Sequence, residues 1–150
     1  MSQPEYVYEI FIRSTPQRVW DAITRPEFTR QYWGGNANLS DWQPGSGWRH
    51  VEEEDGKTTV YVTGQVVESV PPRRLVLTWV NADDAQDASR VTLEIEAVEE
   101  MVRLRVVHGD FTPGSEMPQR ISWGWPRVCS SLKSFLETNR GLNVWAGHHT

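Results

Sequence analysis

Two periods of hydrophobic spacing run through this chain. Along residues 90–98, Val91, Leu93, Ile95 and Ala97 share one face, and Thr92, Glu94 and Glu96 share the other. Along residues 101–110, Val102, Leu104, Val106, His108 and Asp110 point one way, and Arg103 and Arg105 point the other. The same alternation sets Tyr8, Ile10 and Ile12 against Glu9 and Arg13, and it aligns Leu75, Leu77 and Trp79. These segments predict strands with one dry and one wet face. Residues 48–54 and the β-branched run 59–70 read as two more strands. Turn signals separate them at Pro44-Gly45-Ser46-Gly47, Asp55-Gly56, Pro71-Pro72-Arg73-Arg74 and Glu99-Glu100.

The second period is helical. Thr15 can cap and Pro16 suits a first helical position, followed by Val19, Trp20 and Ile23 on one stripe. A second short helix is expected from Arg25-Pro26-Glu27 through Phe28, Tyr32 and Trp33, broken by Gly34-Gly35-Asn36. Near the end, Ile121, Trp125, Val128, Leu132 and Phe135 form an apolar stripe. Pro126 lies within that segment, where it either kinks the helix or marks a late start. The order is one strand, two short helices, about six strands and a long helix. It predicts an α+β domain whose sheet is closed on its dry face by the terminal helix, with a cavity between them.

The 150 residues fit one domain, with a core over about 5–139 and a flexible tail over 141–150. A single cysteine, Cys129, allows no intrachain disulfide and reads as a buried, inert thiol. There is no secretory signal at the N-terminus and no apolar run of membrane-spanning length. A cytoplasmic location with no membrane association is therefore expected. The net charge of −5 and the absence of a basic stripe exclude nucleic acid from the expected partners. Eight tryptophans, at 20, 33, 42, 48, 79, 123, 125 and 145, are the unusual feature. They suit a bulky core or an aromatic-lined cavity.

Candidate chemistry is sparse. The glycines at 45 and 47 precede no phosphate-binding lysine, and Ser130 and Ser131 lie mid-helix rather than on a nucleophile elbow. Neither the scattered histidines nor the His148-His149 pair supplies a metal site, so no metal and no cofactor are expected. Glu68 reads as a solvated carboxylate on a strand whose alternation does not phase. His108 has two readings: a polar contact or general base on the covered face, or a structural histidine tied to Asp110 or to a backbone carbonyl. His50 alternates with Trp48 and can also face inward. The expected ligand-binding residues are Trp48, His50, Leu77, Trp79, Leu93, Leu104, Val106, His108 and Trp125, with no catalytic residue assigned.

The chain resembles the START-like (SRPBCC) superfamily and, within it, the group of the activator of the 90-kDa heat-shock protein ATPase. The resemblance runs from about Val7 to Glu137. It rests on Ile12-Arg-Ser-Thr-Pro-Gln-Arg-Val19-Trp20-Asp-Ala22, Pro44-Gly-Ser-Gly-Trp48, Gly64 through Leu75, and Thr78-Trp79. Ser89-Arg-Val91-Thr92, Arg103-Leu104, His108-Gly-Asp-Phe111 and the Gly124-Trp125-Pro126…Glu137 ending complete it. It implies a helix-grip fold, a curved antiparallel sheet of about six or seven strands wrapped around the C-terminal helix and its cavity. Members bind hydrophobic molecules, assist a chaperone, cyclise polyketides or confer resistance. The eukaryotic co-chaperones carry an additional N-terminal domain, whereas this chain begins at the START-like domain.

The leading expectation is a binder of a small aromatic, polyketide-like or lipid-like molecule, in stress response or resistance. The alternatives are a cyclase- or hydrolase-like enzyme using His108 and a chaperone-interacting protein. A monomer or weak homodimer is expected. The acidic balance carries a first prediction. Duplex and single-stranded DNA should show no submicromolar, salt-dependent binding in fluorescence anisotropy; such binding would contradict the reading.

Overall fold

The computed structural model describes residues 4–145. Its elements are β1 (Tyr6–Ile12), α1 (Pro16–Thr24), α2 (Pro26–Tyr32), β2 (Ala37–Ser40), β3 (Gly47–Glu54), β4 (Lys57–Val70), β5 (Arg74–Asn81), β6 (Ala88–Val98), β7 (Met101–Gly109) and α3 (Met117–Thr138). The strands form one seven-stranded sheet in the order β1-β7-β6-β5-β4-β3-β2. Every neighbouring pair is antiparallel. The architecture is the expected α+β helix grip. No helix among the described residues is long and apolar enough to cross a membrane.

Local chemistry explains the joints. The Thr15 side chain accepts from the Arg18 amide and Pro16 opens α1, as the capping signal predicted. Asp55 and Gly56 both have positive φ, 52° and 76°, so the β3–β4 turn has the hairpin geometry its Asp-Gly pair favours. α3 begins earlier than its apolar stripe indicates. Pro118 lies in its first turn and the Ser115 hydroxyl accepts from the Met117 amide at 2.9 Å, so Pro126 lies inside the helix.

β4 departs from strict alternation twice. His50 pairs with Val62 and Val51 with Val60, which leaves Tyr61 as an extra residue. Val66 pairs with Leu77 and Glu68 with Val76, which leaves Val67 extra. Such bulges bend and twist a strand. Both residues are exposed, 44% for Tyr61 and 40% for Val67. The bulges curve this side of the sheet around α3.

The dry face meets the predicted stripe. Ile121, Trp125, Val128, Leu132 and Phe135 are buried against a core that includes Leu75, Leu77, Val91, Leu93, Ile95, Val102, Leu104 and Val106. Cys129 is 1% exposed, and burial raises its thiol pKa to about 12. The opposite face carries a line of alternating charge across five strands. Glu9 and Arg105 approach to 3.5 Å, Arg105 and Glu94 to 3.9 Å, Glu94 and Arg74 to 3.1 Å, and Arg74 and Glu68 to 3.2 Å. Glu68 is thus an outer-face carboxylate. Each exposed pair adds little stability, but together they keep this face wet.

Two readings change. β2 was not signalled by alternation. β7 ends at Gly109, and Asp110 has φ 54° with its side chain 77% exposed near Arg90, so it does not share the covered face with His108. Residues 141–145 contact α3. The Leu142 amide donates to Ser131 Oγ at 2.7 Å, Val144 is 2% exposed, and the Trp145 ring stacks on Trp123. His148 and His149 lie outside the described residues.

Gly64 sits close against the β5 backbone. It pairs with Trp48, whose Nε1 donates to the Thr78 carbonyl at 2.8 Å. A Cβ on Gly64 would overlap that carbonyl oxygen. Gly64→Ala should therefore lower the unfolding free energy by about 1–3 kcal/mol, as overpacking does. Urea titration measures this; a loss under about 0.5 kcal/mol would mean that β4 and β5 yield freely.

Candidate functional site

Two spaces adjoin α3. The first is a small void of about 20 Å³ between α3 and the sheet. Its lining includes seven of the nine expected residues: Trp48, Leu77, Trp79, Leu93, Leu104, Val106 and Trp125. That volume holds about one water, so side chains fill most of the cavity expected there. The second space is an open cleft of about 1020 Å³ along the first half of α3, bounded by the β3–β5 side of the sheet and by Val144 and Trp145. His50, Trp79 and Trp125 line it. His108, expected to offer a ligand a polar contact, lines neither space.

Tryptophans wall the cleft and divide it from the void. Trp33, Trp79 and Trp125 line both spaces. Their centroids lie 5.7 Å apart for Trp33 and Trp125 and 5.6 Å apart for Trp79 and Trp125. Trp123 and Trp145 line the outer part, with rings stacked at 6.5 Å, and the Arg127 guanidinium lies 3.9 Å over Trp123. Gly34 permits this wall. A Cβ there would strike the Trp145 indole, and its φ of 60° suits glycine.

His108 belongs to a polar chain inside the core. It is 0% exposed. Trp125 Nε1, which can only donate, gives a hydrogen bond to His108 Nδ1 at 3.1 Å. The neutral ring therefore carries its proton on Nε2 and donates to Ser89 Oγ at 2.8 Å. The Ser89 hydroxyl lies 3.0 Å from the Trp79 carbonyl and 2.9 Å from the Met117 sulfur. Burial lowers the His108 pKa to about 3. With one nitrogen protonated and the other's lone pair taken, the ring has no free base to offer a substrate. The partners are Ser89 and Trp125, in place of Asp110 or a backbone carbonyl.

His50 is held in the opposite tautomer. Asn38 Nδ2 donates to the Ile23 carbonyl, which leaves Asn38 Oδ1 to accept from His50 Nδ1 at 2.7 Å. Asn36 Nδ2 then donates to His50 Nε2 at 3.2 Å. The ring packs 4.8 Å from Trp33, and burial lowers its pKa to about 4. Asn36, Asn38 and Trp33 were not among the expected site residues. Asn36 and Asn38 lie beside and on β2, the strand without an alternation signal, and Trp33 caps α2. Tyr61 and Glu52 were also missed. The β4 bulge presents Tyr61 to the cleft, and its hydroxyl donates to Glu52 Oε1 at 3.1 Å. Among the described residues, no group of three His, Cys, Asp or Glu side chains forms a metal site.

Known proteins share this scaffold. The model of a family described as activator of Hsp90 ATPase homolog 1-like protein matches residues 13–137. No curated protein is similar enough to count as a match. The solution structure of the Aha1 dimer from Colwellia psychrerythraea is similar at a TM-score of 0.74 and 17% identity, covering 93% of this chain and 100% of that one. ChR145 from Cytophaga hutchinsonii gives 0.73 and 22%, covering 93% and 97%. PFC0360w, an HSP90 activator from Plasmodium falciparum, gives 0.67 and 20%, covering 81% and 86%. At these identities the structural likeness concerns the fold.

The two histidines make stability depend on pH. Each is neutral when folded, with a pKa near 4 for His50 and near 3 for His108, against 6.5 in the unfolded chain. Below pH 6.5 the unfolded chain binds more protons, so their contribution to stability is full above that pH. It is lost as pH falls towards 4 and then 3. Each tenfold change in proton affinity is worth about 1.4 kcal/mol, so the loss over this range is on the order of several kcal/mol. Urea midpoints against pH should show the decline. Imidazole ¹⁵N spectra at pH 5.5 should show Nδ1–H for His50 and Nε2–H for His108. A folded-state pKa near 6.5 for either ring contradicts the network.

Proposed function

Because this chain belongs to the activator of Hsp90 ATPase homolog 1-like family, a family of varied activities on one scaffold, we propose its function from its own cleft: it binds a small, largely apolar and planar molecule there. The carrying observation is an open space of about 1020 Å³ lined by five tryptophans, Trp33, Trp79, Trp123, Trp125 and Trp145. Aromatic walls with a few polar groups are the usual make-up of a small-molecule site. The Trp33–Trp125 and Trp79–Trp125 pairs are edge-on and tilted, which leaves ring faces for a planar ligand, whereas Trp123 and Trp145 stack on each other. Trp79, Trp125 and His50 remain in the proposed site, whereas Trp48, Leu77, Leu93, Leu104 and Val106 support it from the core.

The hydrogen bonding of His108 weighs against a cyclase or hydrolase that uses this residue as base. A chaperone contact is the second reading. It rests on the family and on the likeness to an HSP90 activator, and a homodimer rests on the likeness to an Aha1 dimer.

Gly124 offers a direct test. It lines the cleft, and a Cβ placed on it meets no atom within 4 Å. Gly124→Phe should occupy the cleft while improving helix propensity, since glycine is poor inside a helix. Flavonoid-like and polyketide-like compounds should shift the indole N–H resonances of Trp33 and Trp79 in the parent protein. Affinity should fall by about tenfold or more in the variant without a loss of stability. A panel that leaves these resonances unmoved, or a variant that binds as tightly as the parent, defeats the proposal.

A further inference from the structure

The unused polar capacity of the cleft is biased toward acceptors and negative charge. Asn36 is 4% exposed and lines the cleft, yet its Oδ1 has no hydrogen-bond partner. Its amide nitrogen donates one of its two hydrogens to His50. A buried acceptor left unpaired is costly, and such atoms are uncommon in folded proteins. Two carboxylates, Glu52 and Asp83, also line the cleft. Among the described residues neither enters an ion pair.

Several donors on the same lining are already engaged. The Tyr61 hydroxyl donates to Glu52, Trp125 Nε1 donates to His108, and His50 Nδ1 donates to Asn38. Arg120, the cation on the lining, is 3.2 Å from Glu116. The indole N–H groups of the walls are neutral and do not offset the carboxylates. Their ring faces carry the negative side of an aromatic quadrupole, which attracts cations.

We infer that the cleft selects molecules whose apolar, planar body carries a protonated amine. This rests on the binding function proposed above and adds the charge of the ligand. An ammonium group has three donors and no acceptor. It can therefore meet the carboxylates, with the buried, unpaired Asn36 oxygen adding to the local negative potential, while the body lies against the tryptophans. A carboxylate or phosphate on the same body would face two like charges against one cation, Arg120, which is already paired with Glu116. The attraction acts at a solvent-open rim, so it weakens with salt.

Three naphthalenes of one shape separate the possibilities: 2-(aminomethyl)naphthalene, 2-naphthalenemethanol and 2-naphthoate, which are cationic, neutral and anionic at pH 7. Isothermal titration calorimetry should rank the amine first, about tenfold tighter than the naphthoate at low ionic strength, with the gap narrowing severalfold at ~0.3 M salt. In the Glu52→Gln/Asp83→Asn double variant, folded by circular dichroism, the preference should shrink to about twofold. Equal affinity for all three, a preference for the naphthoate, or an amine preference untouched by the double variant overturns this inference and leaves the binding function standing. Failure of all three to bind at millimolar concentration overturns both.

Discussion

A hydrogen bond from Trp125 Nε1 to His108 Nδ1 ties the helix to the sheet inside the apolar core, beside the contact of Ser89 with the Met117 sulfur. Apolar contact alone would let α3 slide or rotate over the strands, because burial is not directional. The imidazole removes that freedom. It reaches Ser89 on β6 from β7 and accepts from α3, and Ser89 is within hydrogen-bonding distance of the β5 carbonyl of Trp79. Three strands and the helix thus share one polar chain. An unpaired nitrogen at this depth is costly, so the register of Trp125 over the sheet is fixed. The orientation of the neighbouring tryptophans follows, since Trp79 and Trp33 pack on the ring that the bond holds.

That constraint also explains why the expected cavity moved. With Trp125 anchored, its indole fills the middle of the grip, and little more than a water-sized void remains beneath it. Space opens instead toward the first half of α3, where Gly124 leaves room and the C-terminal segment stands as a side wall. The aromatic partition of Trp33, Trp79 and Trp125 is therefore both the lid of the core and the floor of the cleft. The same side chains carry stability and recognition, and a substitution in any of them confounds the two. Gly124, which carries no core contact, is free of that ambiguity.

The parts of the fold legible in the sequence were those governed by a single period. β6 and β7 alternate without interruption, and the buried stripe of α3 matches its spacing. What the sequence concealed lies where periodicity breaks. β4 could not be phased because Tyr61 and Val67 are each an extra residue against their partners. Four-residue β2 is too short to show alternation, and with it Asn36 and Asn38 went unread. His108 was correctly placed on the covered face. Its partners come from residues 17 and 19 positions away, a proximity that no local pattern records.

The chain order of the sheet shapes how this molecule must be made. β1 pairs with β7, so Tyr6 lies opposite His108, and α3 lies beyond them both in sequence. A nascent chain leaving the ribosome exposes the dry face of one strand after another, with only the short α1 and α2 to cover it until α3 emerges. β1 waits through most of synthesis for β7, the strand it pairs with. Such distant pairing slows folding and lengthens the life of sticky intermediates. On the opposite face, the alternating charges from Glu9 to Glu68 lie on strands that are already presentable to solvent. In the crowded interval before the helix arrives, that face gives the half-built sheet one side on which neighbouring nascent chains have little reason to stack.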